Sequence, residues 1–459
     1  MIGAVVVWGK RIHRGRPGRH VHRILVPGSR NQAGDPRPSP FSYSTRTEEG
    51  LLRPSAPDLQ PVLYAGMPPS NGTPLSMEET SPILLHTNLL GVGKPSRDLS
   101  FRMLAPSIVV RTGPAVLVTG EARLAEMTVP VVVAQGSTAL WWDPSGTMEQ
   151  PHRTQAVTWE PLSGITSADT ALAFAGELLG VTSMAAGAEL PLGERPARVL
   201  GALLLAARLG SGSAAQAGAW LSWGPGSWGE AVGILEGSAE DSARPLATEL
   251  DSALHNAGEW LDTDTEGLFG HIGAALTLMA PMDGALRRPL FIRPFLSSGS
   301  DVLFVALPAD RAVAPTVAAS VLIGRIARLH RHLSRRAAPL AFLIDSPEAT
   351  LAVPRMAQLL RSGPEPRTVW ASVTSRPPQR HRQDRWPACL RVTRGRDATL
   401  SLGRHRKQVT LPRFSEPPWS LVASAARGVL GSTAIRHLRN VSRGPSTLAK
   451  SDDPPRRSQ

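Results

Sequence analysis

The chain has 459 residues, 42% of them hydrophobic and 19% charged, enough for about three domains and a sizeable core. Its 42 glycines and 42 prolines lie above ordinary usage but below the level of disordered chains, which excludes collagen, coiled coil and wholesale disorder. Cys389 is the only cysteine, so an intramolecular disulfide and a multi-cysteine metal site are both excluded.

The net charge of +13 is unevenly placed: residues 1–60 carry +6, residues 61–360 carry −7 and residues 361–459 carry +14. An acidic body thus lies between basic ends, and basic ends attract polyanions. The apolar start M-I-G-A-V-V-V-W precedes its basic run, the reverse of a signal peptide. No segment approaches the ~20 apolar residues of a membrane span. The reading is a cytoplasmic chain, at most peripheral at the inner face of the membrane.

In chain order, residues 1–75 read as a disordered basic arm, rich in Pro, Ser, Gly and Arg from 27 onward. Buried-strand runs follow: P-I-L-L (82–85), A-V-L-V-T (115–119), V-P-V-V-V-A (129–134) and A-L-W-W (139–142). Helical periodicity appears over 168–179 and 195–209, and residues 165–290 read as an all-α insertion. Strand runs resume at V-L-F-V-A-L (302–307), L-A-F-L-I (340–344) and T-V-W-A-S-V (368–373), with a strong amphipathic helix over 312–335 between the first two. Continuous apolar strands alternating with helices predict an α/β fold with a mostly parallel sheet, built from residues 76–164 and 291–415. A β-hairpin region follows at 390–394, 399–402 and 408–411, and the tail from 442 reads as disordered.

Two local patterns point to nucleotide chemistry. P-L-A-F-L-I-D-S-P-E (339–348) is an apolar strand ending in Asp345, placed as a Walker B acid that holds Mg²⁺ at the mouth of a sheet. H-T-N-L-L-G-V-G-K-P-S (86–96) is a Gly-rich turn after a strand, with Gly91, Gly93, Lys94 and Ser96 as candidate nucleotide ligands. In that register the first Gly of G-x-x-x-x-G-K-[ST] is Asn88 and the Ser/Thr is Pro95, which lacks the Mg²⁺-binding hydroxyl. Basic side chains Arg380, Arg382, Arg404, Arg406 and Lys407 are candidate nucleic-acid contacts of the sequence-independent, phosphate-binding kind.

A set of ordered segments resembles the TraG/TraD-type conjugative coupling ATPases of type IV secretion, in their actinobacterial form. These are A-P-S-I-V-V-R-T-G-P-A-V-L-V-T (105–119), A-L-W-W-D-P-S-G (139–146), W-E-P-L-S-G (159–164), F-L-S-S-G-S-D-V-L-F-V-A-L-P (295–308) and the Walker B region from Asp345 to Gly363. The resemblance spans about residues 75–380. It implies a P-loop NTPase-like fold, ATP and Mg²⁺ as cofactors, DNA as cargo, a homo-oligomeric ring, and a paralogous coupling ATPase or secretion-complex protein as partner.

The departures are as informative. Where the family follows its Walker B Asp with a Glu that activates water, this chain has Ser346, and Glu348 lies two residues on as the remaining catalytic candidate. Near the family's strand-end Gln stand Thr374 and Ser375. Counting back without gaps from Pro106 places the family's Gly-Lys-Thr on Asp98, Leu99 and Ser100, whereas keeping Gly93-Lys94 needs about five extra residues in the following helix. The family's membrane anchor has no counterpart. The expectation is a degenerate relative that assists DNA transfer by binding DNA or a partner, with hydrolysis weak or lost. The alternatives are an active DNA translocase using Lys94, Asp345 and Glu348, and a basic nucleic-acid-binding protein without a nucleotide role.

Overall fold

The computed structural model describes residues 63–67, 83–93, 96–187, 193–210, 212–256, 262–280, 287–307, 312–333, 338–345, 367–374, 387–402, 405–416 and most of 419–430. Its strands are β1 (Leu63–Tyr64), β2 (Leu84–Leu85), β3 (Leu89–Val92), β4 (Ala115–Thr119), β5 (Ala139–Trp142), β6 (Gln155–Thr158), β7 (Arg288–Pro289), β8 (Val302–Ala306), β9 (Leu340–Asp345), β10 (Thr368–Thr374), β11 (Ala388–Arg394), β12 (Asp397–Leu402) and β13 (His405–Thr410). Its helices are α1 (Ser96–Val110), α2 (Ala122–Ala134), α3 (Ala168–Ala186), α4 (Glu194–Leu209), α5 (Ala214–Trp223), α6 (Gly229–Glu236), α7 (Ala243–His255), α8 (Thr263–Met279), α9 (Ile292–Ser297) and α10 (Val313–His332).

The fold class is α/β. Eleven strands form one sheet in the order β13-β12-β11-β3-β10-β9-β4-β8-β5-β6-β7. Every pairing from β11 to β7 is parallel, and β12 and β13 are added antiparallel at one edge. The central strands β4, β8, β9 and β10 are buried at every position, and largely apolar, because both faces are covered. Along β4, Val116 and Val118 face one core while Ala115 and Leu117 face the other. Along β9, Phe342 and Ile344 face the first core, and Ala341 and Leu343 the second.

The first core is closed by helices α3 to α8 and by α10. Ser167 caps α3 in a capping box with Thr170, and Gly187 closes it in a left-handed turn at φ 69°. Helices α5 and α8 cross with their backbones close, through Gly218 and Gly273. In the Trp-rich run, Trp220 and Trp228 are buried, with the Trp220 indole donating to Glu230 and the Trp228 indole to the Trp220 carbonyl, whereas Trp223 is exposed. The second core is closed by α1, α2 and residues of the 414–426 segment; there Trp419 meets Tyr64 edge-on at 5.0 Å.

A buried arginine ties the loops beneath the sheet. Arg111 donates to the carbonyls of Ile108 (2.7 Å) and Ser300 (2.7 and 3.1 Å), to Gln135 Oε1 (2.7 Å) and to Ser137 Oγ (2.8 Å). Burial lowers its guanidinium pKa to about 10, so it is charged at neutral pH.

Several expectations are corrected. V-P-V-V-V-A (129–134) is the C-terminal half of α2, with Pro130 inside the helix, not a strand. A short apolar run has no period that separates a buried strand from a buried helix. P-I-L-L supplies only the two residues of β2; the strand that leads into the Gly-rich turn is β3, L-L-G-V. The arm expected over 1–75 does not include residues 63–67. Leu63 and Tyr64 pair with β2, and Met67 bridges Thr410, all of them buried. The tail from 442 lies outside the described residues. Among the described residues no helix is long and apolar enough to cross a membrane.

Candidate functional site

Strand order brings four segment ends together at the carboxyl edge of the sheet, where open α/β sheets bind ligands. β3 runs into Gly93, β10 ends at Thr374, β9 ends at Asp345 and β4 ends at Thr119. The Gly93 amide donates to the Thr374 carbonyl at 3.1 Å, tying the start of the turn to β10.

Asp345 is the focus. Its carboxylate is buried and accepts from Ser100 Oγ at 2.6 Å and from Thr119 Oγ1 at 3.3 Å. Alternation along β9 explains the geometry: Asp345 continues the row of Ala341 and Leu343, so it faces α1. Ser100 lies in the second turn of α1. The Thr119 hydroxyl also accepts from the Glu121 amide at 2.9 Å, which fixes the β4 end of the cluster.

The Gly-rich turn is differently built from the sequence expectation. Gly91 lies inside β3, paired with Val373 and Leu390, and a Cβ there would meet Met103 Sδ at 2.9 Å. It is a packing glycine in a strand rather than part of a loop. Gly93 is the first residue past β3, and Ser96 begins α1. Lys94 lies outside the described residues, as do Glu348, Ser346, Arg380, Arg382 and Arg404.

The first turn of α1 carries a carboxylate of its own, paired with two arginines. Asp98 sits in the first turn of α1, bonded to Arg102 Nε at 2.6 Å and Arg413 Nε at 3.2 Å. Arg102 in turn donates to the Leu411 carbonyl. Leu99 is buried beside Asp98, with Cδ2 packed over Gly91 and Gly93. A carboxylate in the first turn complements the helix dipole, the role a bound phosphate plays in a nucleotide site. These residues do not fit a nucleoside triphosphate. Asp98 already supplies the anion at the helix start, Leu99 offers no charge, and α1 is wound from Ser96 where a phosphate loop would wrap.

The basic C-terminal residues separate. Arg406 and Lys407 lie within β13. Arg406 and Gln408 are exposed and share the row of Ser401 and Thr399 across β12, continued on β11 by Cys389 and exposed Arg391. Lys407 belongs to the other row, opposite Leu400. Burial raises the Cys389 thiol pKa, against an opposing pull from Arg391, so this thiol is not a poised nucleophile.

Sequence reasoning missed the Ser100–Asp345 and Thr119–Asp345 contacts, although counting back without gaps pointed to Ser100. A Thr at the end of a central strand gives no local signal, since its role depends on which strand lies beside it.

No protein-family model matches the sequence, and no curated protein matches it. The fold is similar to solved structures of the bacterial conjugative coupling protein TrwB. The trigonal form of TrwBdeltaN70 in complex with sulphate gives a TM-score of 0.45 at 13% identity, covering 71% of this chain and 84% of that one. The complex of TrwB with the non-hydrolysable GTP analogue GDPNP gives 0.43 at 12% identity, covering 71% and 85%. The complex with ADP and Mg²⁺ gives 0.38 at 13% identity, covering 69% and 87%.

Proposed function

We propose that this chain is a non-hydrolysing relative of the TraG/TraD-type coupling ATPases. In this reading it assists DNA transfer, or a secretion-type complex, by binding DNA or a working coupling ATPase. One observation carries the reading: the acid at the carboxyl end of β9 retains its serine partner on the helix after β3, while Asp98 and Leu99 occupy the mouth of that helix. In this reading the skeleton of a nucleotide site is kept, while Leu99 stands where its lysine would be and Asp98 takes the place of the bound anion. The losses bear on rate as well as binding, because positioned positive charge on the phosphoryl group supplies most phosphoryl-transfer catalysis. The segments that carry the family resemblance fall on α1–β4, β5, the 3₁₀ turn Pro161–Gly164, β8 and the end of β9 at Asp345, while 346–363 lies outside the described residues.

The DNA arm of the reading rests on charge: the net +14 of residues 361–459 and the exposed row of Arg391 and Arg406. The test combines ATP hydrolysis, with and without DNA, and DNA binding across a salt series. The expected result is no DNA-stimulated turnover, together with DNA affinity that falls linearly in log salt. Replacing Arg406 with Ala lowers that slope by about 0.9 for a lost duplex phosphate contact. DNA-stimulated hydrolysis abolished by Asp345→Ala would refute the non-hydrolysing part. Salt-independent or absent DNA binding would leave only the partner-protein arm.

A further inference from the structure

We infer that the phosphate-loop register of this chain runs from Gly93 to Ser100, and that two side chains in the first turns of α1, Asp98 and Leu99, are what exclude nucleotide. The inference rests on the nucleotide-site ancestry proposed above and fixes its register. In the pattern G-x-x-x-x-G-K-[ST] the first glycine follows a strand, and the final hydroxyl stands beside the metal-binding acid of a neighbouring strand. Gly93 is the first residue past β3. Ser100 falls at the eighth position of that pattern, and its hydroxyl is 2.6 Å from Asp345. The alternative register, with Gly93-Lys94 as the Gly-Lys pair, puts the first glycine on Asn88. That residue precedes β3, and its side chain accepts from the Trp370 amide at 3.0 Å within the sheet.

In the Gly93–Ser100 register only two positions depart from the pattern. The sixth is Asp98 in place of glycine and the seventh is Leu99 in place of lysine. Each departure is used by the fold. The Asp98 carboxylate supplies internally the anion that the helix N-terminus favours, and it draws Arg102 and Arg413 onto the mouth. Arg102 also donates to the Leu411 carbonyl, so the 411–413 segment is tied to the first turns of α1 through Arg102 and Arg413. Leu99 closes the floor by packing its side chain on Gly91 and Gly93. The Asp98–Arg413 pair is partly exposed, so solvent screening keeps it weak. The chemical block therefore resides in Asp98 and Leu99.

The test is a gain of binding. Wild type, Lys94→Ala, Asp98→Gly/Leu99→Lys and that double variant with Asp345→Ala are titrated with Mg·ATP by calorimetry and by thermal shift. Circular dichroism checks folding. The expected result is no saturable binding by wild type or Lys94→Ala. The double variant binds at least about tenfold more tightly than any wild-type limit, and the gain is lost with Asp345→Ala. Saturable binding by wild type that disappears in Lys94→Ala would overturn the register. A folded double variant that does not bind would overturn the two-residue block. If the double variant does not fold, the wild-type titration decides: saturable binding refutes exclusion, and its absence sustains it. Loss of DNA binding with these nucleotide results unchanged would refute only the DNA arm of the proposed function.

Discussion

The crossing of α5 and α8 offers a sharp quantitative test, because one chemical change should have opposite signs at two glycines in the same helix pair. At Gly218 an added Cβ would lie 2.6 Å from Thr277 Oγ1 and 2.7 Å from the Gly273 carbonyl, where real Cβ contacts are essentially never below 3.0 Å. The first neighbour is held by its own bond to the Gly273 carbonyl at 2.9 Å, and the second is backbone, so neither yields by a simple rotamer change. The helices must move apart, and Gly273 in turn lies close to the Gly218 carbonyl, so the strain is shared across the crossing. Overpacking of this kind costs about 1–3 kcal/mol, while Gly→Ala in a helix interior gains about 1 kcal/mol. The overlaps place the cost at the upper end, so Gly218→Ala is expected to destabilise by about 1–2 kcal/mol. Gly270 lies on α8, exposed, with nothing within 4 Å of an added Cβ. Gly270→Ala should therefore stabilise by about 1 kcal/mol. Urea unfolding followed by tryptophan fluorescence reads both, the chain having 11 tryptophans. Equal stabilisation by the two substitutions would refute the close helix crossing.

Two further outcomes follow from buried polar groups. Arg111→Lys keeps the charge but replaces a planar fork serving four acceptor groups with one ammonium, and should destabilise by about 2–4 kcal/mol in the same assay; a change below about 0.5 kcal/mol would refute the anchoring role. Glu160 accepts from the Leu162 and Ala214 amides, and burial raises its pKa despite those bonds. Because its folded pKa is above the unfolded one, its contribution is fully present below the unfolded pKa and is lost as pH rises through the folded pKa. Stability should therefore rise as pH is lowered from neutral through that window, and Glu160→Gln should flatten the slope there. An unchanged slope would assign the effect elsewhere.

Much of the sheet was legible because fully buried parallel strands announce themselves as unbroken apolar runs. A-V-L-V-T and A-L-W-W coincide with β4 and β5 residue for residue. The same signal misleads at 129–134, where the run is the buried flank of an amphipathic helix that begins at Ala122. Short strands near the sheet edge, such as Gln155–Thr158 and the edge strand Arg288–Pro289, give no run at all; they are strands because a neighbour offers them a ladder. Asp345 was legible as a strand-end acid. The register of a phosphate loop was not, because the sequence offers two: Gly93-Lys94 read as the Gly-Lys pair, and the ungapped count that ends on Ser100. What favours the second is tertiary: the meeting of Ser100 with Asp345, 245 residues apart, and the place of Asn88 before β3.

The packing of α3–α8 has a consequence for how the chain can be cut or recombined. Their buried side chains and those of β4, β8 and β9 form one continuous core, with α10 as a shared wall. Salt-bridged Glu177 and Arg328, at 2.6 Å, add a direct link between α3 and α10. Deleting the helical segment would leave Val116, Leu303, Phe342 and Trp370 as a bare apolar face. Transplanting it alone would leave its own apolar stripe without a floor. The segment is contiguous in sequence but not separable as a folding unit, so truncations that stop at its boundaries should yield insoluble protein, while cuts outside both cores should not.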